Sequence, residues 1–232
     1  MLEAASLNNP SAAVELSLLF KNGTSGVNKS DEKAISWQKK VTDSRLVDFA
    51  RRGKEAAAYS LGMCYHHGLT VEVNHEEAVK WFQYAEKKGF SFAQNSLGQC
   101  YAYGLGVRQD STEAMRYFKL GAQQNNALAQ FNLAEWVLRE GDEKQAEYYY
   151  KLAAEQGYAE AQNSLGIFYE CFNDKKNNEK AVKYFQLAVD QHHAAAQYNL
   201  GLGYWRGTLA ARNPQQAMKL FQLSANQGYE TA

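Results

Sequence analysis

Ala93-Gln94-Asn95-Ser96-Leu97-Gly98-Gln99-Cys100-Tyr101-Ala102-Tyr103-Gly104-Leu105-Gly106-Val107-Arg108-Gln109-Asp110, followed by Ala114 and Tyr117-Phe118, is the stretch that decides the fold. Ala93, Leu97 and Tyr101 stand four apart and share one helical face; Ala114 and Phe118 do the same in a second helix. Gly98 removes a side chain beside the leucine, where the second helix must come close. Asp110, with Glu113 three residues on, reads as an N-cap with its acidic partner. The unit is an antiparallel helix pair, A then B.

The same columns recur along the chain. The anchor is Leu16-Ser17, Leu61-Gly62, Leu97-Gly98, Leu133-Ala134, Leu165-Gly166 and Leu200-Gly201, spaced 45, 36, 36, 32 and 35 residues. Four before each leucine is an alanine, and four after it Phe20, Tyr65, Tyr101, Val137, Tyr169 or Tyr204. A second alanine column, Ala34, Ala78, Ala114, Ala146, Ala181 and Ala217, precedes aromatic or leucine residues. Asn74, Asp142 and Asn213 (before Pro214), and Asn9 before Pro10, predict further helix starts. Gly53, Gly89, Gly157 and Gly228 predict left-handed ends of B helices; Asn125-Asn126 and His192-His193 hold that place in two units. One such pair cannot bury its aromatic face, so the units stack. The expected fold is all-α, a right-handed α-solenoid of about six antiparallel helix pairs. It is read as a single domain over 1–232, with repeats near 10–52, 53–88, 89–124, 125–156, 157–191 and 192–227. The first repeat has extra residues around Val41 to Arg52, read as a longer B helix. Partial units are expected at both ends: Ala4-Ala5 match the end of a B helix, and Gly228 to Ala232 repeats the spacing of Gly157 to Ala161. That pattern suggests a segment of a longer repeat protein.

Composition narrows the function classes. The 232 residues carry 25 Lys+Arg against 25 Asp+Glu, so net charge gives no pull toward nucleic acid or anionic membrane. With 45% apolar residues and 2 prolines, the chain is core-forming and helical rather than disordered. No apolar run approaches a membrane span, and no signal peptide is visible. The 3 cysteines fit reduced thiols and a cytoplasmic setting, with export signals outside this stretch left open.

The stretch Ala93 to Phe118, like Leu61 to Gly89, resembles a Sel1-like repeat, a branch of the tetratricopeptide superfamily with a longer, glycine-containing loop between A and B. The fourth unit, whose loop shrinks to Glu140-Gly141, is more similar to a plain tetratricopeptide repeat, and Phe172 replaces a loop glycine in the fifth. A secreted, cysteine-rich branch carries a bonded pair within each repeat, a pattern this chain lacks. The resemblance implies a non-enzymatic scaffold that holds a partner protein or peptide in a concave groove lined by A helices. In the tetratricopeptide arrangement, the groove positions lie two before, two after and five to six after the anchor leucine. Carried over, these are Tyr59, Met63, His66 and His67 in the second unit and Asn95, Gln99 and Tyr103 in the third. The fourth supplies Phe131, Glu135 and Arg139, the fifth Asn163, Ile167 and Glu170, and the sixth Tyr198, Leu202, Trp205 and Arg206. Aromatics and arginine dominate binding hot spots, and the amides suit an extended backbone. Few lysines share the stripe, which argues against nucleic acid. Two other classes stay open: a bacterial secreted effector or toxin-immunity protein, and an accessory domain of an enzyme.

Catalytic and metal motifs are weak. Ser30-x-x-Lys33 and Ser36-x-x-Lys39 match the Ser-x-x-Lys of penicillin-recognising enzymes, but their companion elements are missing. Adjacent His66-His67 point about 100° apart on a helix and cannot share a metal on one face. No Cys-x-x-Cys or His-x-x-x-His occurs. Cys64 and Cys100, on neighbouring A helices, are expected beyond disulfide reach. Asn22 and Asn28 are formal glycosylation acceptors only if the chain is secreted by a eukaryote. No catalytic residue, metal or cofactor is therefore expected, nor direct membrane insertion.

Overall fold

The computed structural model describes residues 10–22, 29–41, 50–69, 71–171 and 175–229. Among them it holds twelve α-helices and no strand. The A helices are α1 (Pro10–Asn22), α3 (Glu55–His67), α5 (Ser91–Tyr103), α7 (Ala127–Arg139), α9 (Ala159–Glu170) and α11 (Ala194–Arg206). The B helices are α2 (Asp31–Val41), α4 (His75–Glu86), α6 (Ser111–Gln123), α8 (Glu143–Glu155), α10 (Lys175–Asp190) and α12 (Pro214–Ala225). The result is an all-α solenoid of about six repeats. Residues 42–49, where a longer first B helix is expected, lie outside the described residues, as do Asn9, Ala4-Ala5 and residues 230–232.

Two compact units divide the chain, Met1–Asn132 and Leu133–Ala232, with the boundary inside α7. In the first, α1 packs on α2, α3 on α4 and α5 on α6, and neighbouring repeats join through α1 with α3 and α4 with α5. Its core gathers Leu61, Phe82, Leu97, Leu69 and the small residues Ala58, Ala78 and Ala93. In the second, α9 packs on α10 and α11 on α12, with α8 against α9 and α10 against α11. Leu133, Leu165 and Leu200 are fully buried there, as are Ala146, Ala181 and Ala217.

The glycine after the anchor leucine has a measurable reason. A Cβ built on Gly98 would lie 2.5 Å from the ring of Phe118, and one on Gly166 would lie 2.5 Å from Phe185. The phenylalanine of helix B occupies the space that a side chain on helix A would take.

The expected caps form. Asn74 Oδ1 accepts the Glu77 amide at 3.0 Å, Asp110 those of Thr112 and Glu113, and Asp142 that of Gln145. Asn213 accepts from Gln216 ahead of Pro214. At the B-to-A corners Asn125 and His192 take φ of 59° and 60°, the left-handed conformation that glycine supplies at other corners. The next residue repays this locally: His193 Nδ1 accepts the Ala196 amide at 3.2 Å and caps α11, which fixes that nitrogen as the unprotonated one.

Candidate protein-binding faces of the A helices

In the first unit the groove positions fall into three kinds. Tyr59 and Met63 are half-buried against the core, and the Tyr59 ring sits 5.3 Å from Phe90 and 6.1 Å from exposed Phe92. Asn95, by contrast, is only 2% exposed, and its Oδ1 accepts from Asn132 Nδ2 at 2.7 Å. Its amide joins α5 to α7 instead of facing solvent. Gln99 and Phe131 are half-buried, and Tyr103 is 65% exposed. His66 and His67 cluster with His75 at the C-terminal end of α3, with ring centroids 4.7 and 5.0 Å apart.

The second unit offers Ile167 and Trp205, each 43% exposed, with half-buried Leu202 at the same repeat position as Ile167. Arg206 and Arg139 are exposed. Half-buried Glu170 has its carboxyl pushed up by burial, against the opposing pull of the Thr208 hydroxyl, 3.5 Å away, and the Arg206 charge. The Arg212 guanidinium lies over the Trp205 ring at 5.6 Å and donates to the Trp205 carbonyl. Glu135 is engaged internally, accepting the Tyr150 hydroxyl. Asn163 accepts from Asn199 at 3.0 Å, as Asn95 does from Asn132. Tyr198 is half-buried beside Phe221 and Tyr229.

Two of the five amides and acids proposed from offset alone, Asn95 and Asn163, therefore tie consecutive A helices together. A second amide system runs within repeats. Buried Gln94, Gln162 and Gln197, each three before its anchor leucine, accept from Gln124, Gln191 and Gln227 at 2.7, 2.7 and 2.8 Å. Each clips the start of an A helix to the end of its own B helix. The signal was the dipeptide Ala-Gln at positions 93, 129, 161 and 196.

At the loop-side ends of the helices, repeats three and five each stack two tyrosines: Tyr101 on Tyr117 at 5.5 Å and Tyr169 on Tyr184 at 5.8 Å. A cation covers each stack, Arg116 at 4.0 Å from Tyr117 and Lys180 at 4.5 Å from Tyr169. The Tyr169 hydroxyl also donates to Glu147, which takes Lys151 at 2.6 Å. Burial pushes Glu147 up, but these two hydrogen bonds and the Lys151 and Lys180 charges outweigh it and hold the carboxyl below its usual range. Cys64 and Cys100 are buried, unpaired thiols pushed up to about 12 by burial, and Cys171 is unpaired and exposed. Among the described residues no three His, Cys, Asp or Glu side chains converge on a metal position, and no helix is long and apolar enough to cross a membrane.

Stacked helix pairs with a leucine–glycine seam define a Sel1-type solenoid, and sequence comparison agrees. The Sel1 repeat profile matches residues 10–40, 55–90, 91–126, 127–158, 159–193 and 194–229; the chain belongs to the Sel1 repeat family. No curated protein sequence matches it. Among solved structures, a Sel1 repeat protein from Oxalobacter formigenes is 24% identical with a TM-score of 0.69, covering 94% of this chain and 85% of that one. An immunity protein from Pseudomonas aeruginosa is 17% identical with a TM-score of 0.64, covering 94% and 81%. A Sel1 repeat protein from Klebsiella pneumoniae is 21% identical with a TM-score of 0.52, covering 80% and 92%. These likenesses show the fold. Sel1 repeat proteins typically bind protein partners and are generally not enzymes.

Proposed function

We propose that the chain is a non-enzymatic scaffold that holds a peptide or loop of a partner protein against the exposed side of its A helices. The observation that carries this is the exposure of Tyr103, Ile167 and Trp205, large apolar side chains at groove offsets of α5, α9 and α11. Exposed aromatic and aliphatic side chains serve as anchors for a partner's side chains. Because Asn95 and Asn163 are bonded to neighbouring helices, recognition rests on these apolar anchors, with Arg139 and Arg206 supplying charge. The test is affinity capture with the intact protein, followed by binding measurements on folded variants. Tyr103→Ala, Ile167→Ala and Trp205→Ala should each weaken partner binding more than Lys80→Ala or Lys183→Ala on the B helices. Larger losses at the lysines would place the site elsewhere.

A second reading, a toxin-neutralising immunity protein, is supported by the fold shared with the Pseudomonas immunity protein. It predicts a toxin gene beside this one and rescue of toxin-expressing cells by co-expression.

A further inference from the structure

The joint between the first and second repeats contains a group of residues that the groove reading does not use. His66 and His67 end α3, and His75 opens α4; the His66 ring lies 4.7 Å from His67 and 5.0 Å from His75. From the first repeat, Lys21 of α1 reaches across and donates its ammonium to the His67 carbonyl at 3.0 Å. His66 Nδ1 and His75 Nδ1 are both enclosed without a hydrogen-bond partner, so a proton placed on either would have no acceptor. A Cβ on Gly106 would meet the His75 backbone at 2.3 Å, so the third repeat's loop closes over the start of α4.

The charged neighbours that shift His66 and His67 are cationic. Burial comes first in holding His66 below its ordinary value, then the His75 charge. Burial again leads for His67, followed by His66, Lys21 and His75, which together bring it down to about 4. Glu72, Glu76 and Glu77 lie near in sequence, and Glu77 is taken by Lys80 at 2.6 Å. The cluster brings three imidazoles and an ammonium together.

We infer that His66 and His67, walled in by His75 and Lys21, form an acid-sensitive latch that seats the first repeat on the second while these two imidazoles are neutral and releases it when they take up protons. The direction follows from linkage. An imidazole at its ordinary value near 6.5 in the opened joint binds a proton before the closed one does, so opening takes up protons. The joint keeps its full stability above about pH 6.5 and loses it progressively as pH falls toward 4. From pH 7.5 to 5.0, His67 alone raises the opening equilibrium roughly 25-fold.

Hydrogen–deuterium exchange on the full chain reads this directly, with rates corrected for their intrinsic pH dependence. Amides of α1 should open roughly 25-fold more often at pH 5.0 than at 7.5, relative to those of α5 in the same molecule. In the His66→Gln/His67→Gln double variant that ratio should collapse toward one. Lys21→Met, which leaves all three imidazoles in place, should shrink it, because removing the nearby ammonium lets His67 accept a proton at higher pH in the closed joint. Proton NMR of the imidazoles supplies a measurement that needs no variant: His67 should titrate well below 6.5. An α1 that opens no more than α5 on acidification, a ratio unchanged in both variants, or a His67 midpoint at or above 6.5 would each overturn the latch.

Discussion

Replacing Gly98 with alanine tests the packing logic at its tightest point. In an exposed helix the change should stabilise by about 1 kcal/mol, because alanine is the better helix former. Here the new Cβ would stand 2.5 Å from Phe118 Cδ1 and Cε1 and 3.1 Å from its Cγ, about 1 Å inside ordinary carbon contact. The ring is 3% exposed and enclosed on both sides, so it cannot swing out, and either α6 must slide or the rotamer must strain. Overpacking of this kind costs about 1–3 kcal/mol, and a clash against an enclosed ring falls at the upper end. Setting that against the propensity gain leaves a net destabilisation of about 2 kcal/mol, or roughly 4–8 °C in melting temperature for a chain of this size. Thermal melts followed by circular dichroism at 222 nm measure it. Phe118→Leu should recover part of the loss in the double variant, although it is destabilising alone. A Gly98→Ala protein more stable than the parent by about 1 kcal/mol would refute the account: helix A would then be free to carry a side chain at its seam.

Gln162→Leu should destabilise by about 1–3 kcal/mol, since it strips the Ala154 carbonyl and the Gln191 amide of their partner; urea denaturation is the check, and a neutral result would show the clip to be dispensable. Alkylation with iodoacetamide at pH 8 should modify Cys171 in the folded protein and reach Cys64 and Cys100 only after denaturation, because burial keeps those two thiols protonated; three equally fast cysteines would contradict the placement of α3 and α5.

The alanine, leucine and glycine columns were legible because each follows from sterics that every repeat must satisfy in the same way. Buried Leu97 and the close approach of helix B at Gly98 are read from spacing alone, whereas the structure shows that Phe118 fills that place. The polar interior was not. A glutamine beside an alanine looks like a surface residue until its partner, 29 or 30 residues on, is seen to end the opposite helix. Asn95 was assigned to the groove by its offset, yet Asn132, at a different offset in the next repeat, turns it inward. The histidine cluster escaped for a related reason. Spacing within one helix excluded a shared face for His66 and His67, while the group depends on His75 from the following helix and Lys21 from the preceding repeat. The left-handed His192 corner was anticipated, but not that His193 would cap the helix it begins.

The asparagine bonds between A helices also carry a direction. Repeats three and five present Ala-Gln-Asn-Ser-Leu, whose asparagine accepts; repeats four and six present Ala-Gln-Phe-Asn-Leu and Ala-Gln-Tyr-Asn-Leu, whose asparagine donates. The stacked tyrosines follow the same alternation, falling in three and five. Repeats three to six are thus written in couplets. Copying repeat three alone would put a serine where Asn132 now stands and leave the Asn95 amide without that partner, whereas copying repeats three and four together would carry the pair along. Any attempt to extend this part of the protein by design should therefore proceed two repeats at a time.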